Sequence, residues 1–294
     1  MSIPTAIRHR GAVVPEAVIS PGRPRVRQGH GAAGIIGRMP PFFTLSESGD
    51  LLPAPHARGP WAPDMLHGRL LGGLLARAIE REHGTPELRP ARLTVDLYRN
   101  SRLVPLTVST ELVRDGRRIR VVDASVTGPD GPIARASCVM LRPGDQPPGR
   151  SWAPEPWNVP APETLGEPQN SRDSTHDVWW FGKGDGAPDA AERRRILLRE
   201  SHPLVEGEPL SPLVRAALAA DLSSPIAHWS TSGLHYINAD YTLSLGRLPE
   251  GEVLGLEAGG HLSAAGIASG QCVMYDLSGP VGHVTNVALA NPRL

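Results

Sequence analysis

The 294-residue chain carries 30 basic and 30 acidic residues and only two cysteines. Balanced charge argues against nucleic acid or another polyanion as a partner, and two cysteines cannot make a disulfide framework or a zinc site. No apolar run approaches the ~20 residues that span a bilayer, and the N-terminus lacks the charged-then-apolar order of a secretory signal. A cytoplasmic protein is therefore expected, with Cys138 and Cys272 as buried free thiols in strand-like runs.

Residues 1–38, with "RHR" and "PGRPRVRQGHG", are rich in Arg, Pro and Gly, show no sustained periodicity and read as a flexible N-terminal tail. Their acid-poor balance leaves a targeting peptide as the lesser alternative, since the amphipathic pattern of one is missing. Residues 39–143 form a first repeat. In it, "HGRLLGGLLARAIERE" (His67–Glu82) places Leu70, Leu71, Leu74, Leu75, Ala78 and Ile79 on one helical stripe. A strand-like "ARLTVDLYRN" follows, then "PLTVSTELVRDGRRIRVVDASVTG" as two alternating strands around a Gly-containing turn. Residues 144–170 are Pro-rich and read as a linker, with Trp152 and Trp157 expected to pack it against a domain.

Residues 171–294 repeat that order. "GKGDG" (Gly182–Gly186) is too short for a phosphate loop and reads as a hairpin turn. "ERRRILLRE" (Glu192–Glu200) reads as a charge-flanked strand or helix start; its arginines suit a solvated face better than a phosphate site. "SPLVRAALAADLSSP" begins a helix with Ser211 as N-cap and Pro212 in the first turn. "YINADYTLSL" and "GEVLGLEAGGHLSAAGIASGQCVMYD" supply the strands, and "SGPVGHVTNVAL" echoes "DGPIARASCVML". Gly131 and Gly279 differ by 279 − 131 = 148 positions and the helices by 213 − 70 = 143, a modest insertion between helix and strand. Each half is thus one long apolar helix followed by antiparallel strands, and such a helix needs a sheet wrapped around it: an α+β unit present twice.

One residue breaks the pattern. Leu213, Val214, Ala217, Leu218 and Leu222 continue an apolar stripe on which Asp221 also falls, where the first half has Ala78 (221 − 143). A carboxylate in the last turn of a helix is disfavoured by the macrodipole, and partial burial raises its pKa toward the range of a general base. The alternative is a helix that frays before 221, leaving "DLSSP" as a surface turn. Asn286, in place of Cys138 (286 − 148), and Asn238, at the head of the polar edge Asn238, Asp240, Thr242, are two further polar replacements in the same repeat. Together they suggest a site grafted onto one half. His228 and His235 have no third ligand at metal spacing, so neither a metal nor a cofactor is expected.

Over roughly residues 39–292 the chain resembles the acyl-CoA thioesterase II group of tandem hot-dog proteins, on "ARGPWAPDMLHGRLLGGLLARAIE", "LVRDGRRIRVVDASV", "AADLSSP", "YINADYTLSL" and "GPVGHVTNVAL". The resemblance implies a double hot-dog whose halves pair as a pseudo-dimer and bind acyl-CoA or another acyl thioester between them, with further homo-oligomerisation possible. It implies a hydrolase in which Asp221 acts as base, with Asn238 and the residue at position 286 holding the attacking water. The family's glutamine at that last position is Asn286 here, one methylene shorter. Backbone N–H groups around His67 and Gly68 would serve the oxyanion. His67 opposite Asp221 also suits a hot-dog dehydratase or acyl-tailoring enzyme, and His67 can equally be a simple cap. The Gln-to-Asn change admits a non-catalytic acyl-CoA-binding protein.

Overall fold

A computed structural model describes residues 39–169, 175–181 and 193–291. The expected N-terminal tail, the "GKGDG" turn and the first residue of "ERRRILLRE" lie outside them.

Two short antiparallel strands, β1 (Phe43–Leu45) and β2 (Leu51–Pro53), lead into the first half. Helix α1 (Gly68–His83) then runs where the periodicity placed it, and its stripe of Leu70, Leu71, Leu74, Leu75, Ala78 and Ile79 is buried. Around it fold β3 (Arg89–Leu97), β4 (Thr107–Asp115), β5 (Ile119–Gly128) and β6 (Gly131–Leu141). The second half contributes β7 (His176–Phe181), β8 (Arg195–Glu200), α2 (Pro212–Asp221), α3 (Ser223–His228), β9 (Tyr236–Asn238), β10 (Asp240–Leu245), β11 (Val253–Ala264), β12 (Ile267–Asp276) and β13 (Gly279–Ala290). Gly131 and Gly279 open β6 and β13 at φ 101° and 121°, a left-handed conformation that glycine adopts without steric cost. The sequence echo at 148 positions is therefore a shared turn.

The sheets of the two halves fuse into one, in the order β4-β5-β6-β3-β10-β13-β12-β11-β8-β7. The seam is the antiparallel pair β3–β10, where Thr94 lies opposite Thr242. Their hydroxyls are 3.1 Å apart and the residues are separated by 148 positions, so the strand meets its own repeat and the pseudo-two-fold axis passes between them. Inside the curved sheet α1 packs beside α2. The approach is close: a Cβ on Gly73 would lie 2.7 Å from Leu218 Cδ2, and one on Gly72 only 1.9 Å from the Tyr241 hydroxyl. Tyr241, fully buried on β10, donates that hydroxyl to the Ala217 carbonyl at 3.0 Å and pins α2 to the seam.

Three local expectations change. "YINADYTLSL" is not one strand: at Ala239 the chain steps aside, its N–H donating to the Val287 carbonyl while Asp240 Oδ1 accepts the Val287 N–H. The extra residue acts as a bulge does, bending the strand and re-aiming the side chain before it, Asn238. The residues after Asp221, a surface turn in the alternative reading, form the short helix α3, because Leu222 stays in the right-handed helical region. In the linker Trp157 packs edge-on against Tyr275 and Phe181, whereas Trp152 is 89% exposed. Both cysteines are free and buried. No helix among the described residues is long and apolar enough to cross a membrane.

Candidate active site

Asp221 is the last residue of α2 and is 7% exposed, so the helix does not fray before it. The bend at Ala239 brings Asn238 to the carboxylate, where Asn238 Nδ2 donates to Asp221 Oδ1 at 2.8 Å. Because α2 runs antiparallel to α1, its C-terminus abuts the first turn of the other helix. A Cβ on Gly68 would lie 3.8 Å from both Asp221 oxygens and 3.5 Å from Leu97 Cδ1. The second half's carboxylate therefore sits at the positive end of the first half's helix dipole. Burial raises the Asp221 carboxyl above the ordinary carboxylate range; the Asn238 hydrogen bond and the Arg69 guanidinium partly counter that.

His67 caps α1: its Nδ1 accepts the Arg69 N–H at 3.4 Å. Burial, with help from Arg69 and His176, holds its pKa well below the usual imidazole value, so the ring is neutral near pH 7. A neutral ring whose Nδ1 is an acceptor keeps its proton on Nε2. It is a donor there, which disfavours the proton-abstracting role a dehydratase would need.

A cavity of about 290 Å³ joins these groups. His67, Gly68, Asp221 and Asn238 line it together with apolar Leu71 and Ile237, and its rim includes Arg99. The structure does not bring Asn286 into this group. That side chain, 2% exposed, is not among the residues lining the cavity, and both ends of its amide are occupied: Oδ1 accepts from His228 Nε2 at 2.6 Å and Nδ2 donates to Ser223 Oγ at 3.0 Å. His228 in turn meets the exposed-edge His261 through the two Nδ1 atoms, 2.7 Å apart. The shorter amide is thus held by the two ends of α3 and does not line the cavity.

Sequence reasoning also missed a buried ion pair behind the cavity. Arg69 Nη1 donates to Glu200 Oε1 at 2.6 Å, both side chains fully buried, and Nη2 donates to Thr175 Oγ1 at 2.8 Å. One signal was available: a cation in the first turn of a helix opposes the dipole and requires a carboxylate partner. Three of the four arginines of "ERRRILLRE" are buried or paired at short range, and Arg193 stays mostly exposed, 3.6 Å from Glu257. Arg194 is buried, Arg195 bonds Glu257 and Arg199 bonds Asp177. No group of three or more metal-ligating side chains gathers among the described residues.

Two helix-wrapping sheets joined on a pseudo-two-fold, with one polar site at one end of the helix pair, define a double hot-dog α+β protein. Residues 57–141 match the acyl-CoA thioesterase N-terminal domain and residues 144–290 the acyl-CoA thioesterase C-terminal domain. The chain belongs to the acyl-CoA thioesterase family and is a thioester hydrolase. Solved structures of similar fold include the tesB protein of Mycobacterium avium subsp. paratuberculosis (14% identity, 83% of this chain and 93% of that one, TM-score 0.58). The acyl-CoA thioesterase II TesB2 of Mycobacterium marinum is comparable (16%, 76% and 90%, 0.57), as is a hot-dog protein of Alicyclobacillus acidocaldarius (14%, 84% and 93%, 0.64). No curated protein matches the chain in sequence.

Proposed function

We propose that Asp221 is the general base of acyl-CoA hydrolysis in this chain. A water held between Asp221 and Asn238 attacks the thioester carbonyl carbon while Asp221 accepts its proton. The developing oxyanion is met by the Gly68 N–H at the start of α1, with the His67 Nε2–H beside it. The tetrahedral intermediate then expels the CoA thiolate, which recovers the proton from the Asp221 carboxyl, leaving free acid and thiol. Arg99 at the rim would meet the phosphate-bearing end of the substrate.

The observation that carries the reading is the buried Asp221 carboxylate held by Asn238 against the first turn of the partner helix. A raised carboxyl pKa brings the base closer to working pH. Two groups, and not three, then orient the water, since Asn286 is engaged with Ser223 and His228. The two buried free thiols support a reducing, cytoplasmic setting, where acyl-CoA turnover would serve lipid metabolism. Thiol release from a short-to-long acyl-CoA panel tests the assignment. Asp221→Asn should lower kcat by about a hundredfold or more, and a variant that retains wild-type turnover removes Asp221 from the chemistry.

A further inference from the structure

The pseudo-two-fold carries the site to the opposite end of the helix pair, where the counterpart of Asp221 is Ala78 and that of Asn238 (238 − 148) is Pro90. That end holds a cavity of its own, of about 430 Å³, between the C-terminal turn of α1 and the segment after β10. Pro90 and Leu248 line it, and Leu248 is the 148-position mate of Asn100, which lines the first cavity. Glu80, Leu88 and Met140 complete its walls. The match of lining positions makes it the geometric counterpart of the active-site cavity. No proton acceptor stands at 78 and no side-chain donor at 90.

This cavity does not end blindly. Thr85 and Leu88 also border a second depression of about 310 Å³, and Arg117 and Arg142 of that depression border a third of about 590 Å³. Along the continuous groove stand five guanidiniums (Arg89, Arg117, Arg118, Arg120, Arg142) against three carboxylates. Asp115 is taken by Arg120 at 2.8 Å, and burial raises the Glu80 carboxyl, an effect that Ser211, the cap of α2, partly counters. Glu87 is the third. Among the described residues Arg117, Arg118 and Arg142 have no carboxylate partner. Arg142 Nε is tied to the Arg117 carbonyl at 2.8 Å, which gathers the three at the far end of the groove, around the β4–β5 turn. Three exposed guanidiniums without a carboxylate partner border one depression, where they can take phosphate oxygens bidentately, and the apolar cleft leading away from them suits a long thioester arm.

We infer that this groove is a second, non-hydrolytic binding site for coenzyme A thioesters, with the phosphates on Arg117, Arg118 and Arg142 and the acyl arm in the cavity of Pro90, Met140 and Leu248. The inference rests on acyl-CoA as the family's substrate class and not on Asp221 as the base. Calorimetric titration of the full chain with S-octyl-coenzyme A, a thioether that cannot be hydrolysed, should show two equivalents bound. Arg117→Glu/Arg118→Glu should bind one, and Leu248→Trp, which fills the cavity without touching the arginines, should also bind one. Asp221→Asn should still bind two, so loss of the second site and failure of the catalytic assignment are read separately. One equivalent in the wild type, or two retained by Arg117→Glu/Arg118→Glu, overturns the inference.

Discussion

The two ends of the helix pair are built alike and equipped differently. At one end the terminus of α2 presents Asp221 to Gly68, the first residue of α1; at the other the terminus of α1 presents Glu80 to Ser211, the cap of α2. Burial raises both carboxyls. Each carboxyl borders a cavity, but Asp221 has an amide at 2.8 Å on the neighbouring strand, whereas the strand residue beside Glu80 is Pro90, which has no donor to offer. A perturbed carboxylate at a helix terminus is therefore not enough for a base. What separates the ends is the neighbour on the strand, an amide at one and a proline at the other.

Substitutions that transfer or remove these differences should divide accordingly. The largest contrast is between Asp221→Asn, expected to cost about a hundredfold or more in kcat, and Glu80→Gln, expected to leave thiol release within about twofold because no amide stands beside it to hold an attacking water. Placing the missing carboxylate by Ala78→Asp buries a charge without Asn238's counterpart. It should destabilise the fold by about 3 kcal/mol near pH 7, measured by urea unfolding. Such a carboxyl has a folded-state pKa above its unfolded one, so the deficit grows as pH rises from the unfolded value to the raised one and is absent below both. Recovery of stability in acid is the signature; a deficit constant with pH would mean simple crowding.

Asn238→Ala removes a hydrogen bond to the charged form, an interaction of about 1.5 kcal/mol or more, and so about tenfold in kcat. Since that bond lowers the Asp221 pKa, its loss should move the acid limb of the kcat–pH profile to higher pH. An unmoved limb would separate Asn238 from the base. Gly68→Ala is the gentlest change. The added methyl makes ordinary contacts of 3.5–3.8 Å, so stability should hold or rise by about 0.5–1 kcal/mol on the loss of a helical glycine. Turnover should still fall about tenfold, because the methyl occupies the space between the carboxylate and the helix terminus.

How much of this was legible in the sequence depends on the range of the interaction. Helix α1, the hairpin strands and the duplication follow from local periodicity and one repeated turn, and Asp221 betrayed itself by breaking an apolar stripe. The step at Ala239 left no mark in "YINADYTLSL", because it exists only where β9 and β10 meet β13. Asn286 announced an amide among apolar neighbours but not its direction, which His228 and Ser223 set from another element. Arg69 and Glu200 are 131 positions apart, and pairing at that distance is a property of the closed sheet. The groove of arginines at the β4–β5 turn likewise needed the end of β6 to be brought beside it.

The seam at Thr94 and Thr242 has a consequence for how such a molecule can diverge. In a symmetric pair of separate subunits every substitution is imposed on both ends at once, and a change that suits one task is tested against the other. Joining the halves in one chain keeps the two-fold geometry while lifting that identity, so each end answers to its own mutations. The aspartate at one end and the alanine at the other are a state that no homodimer of a single half could encode.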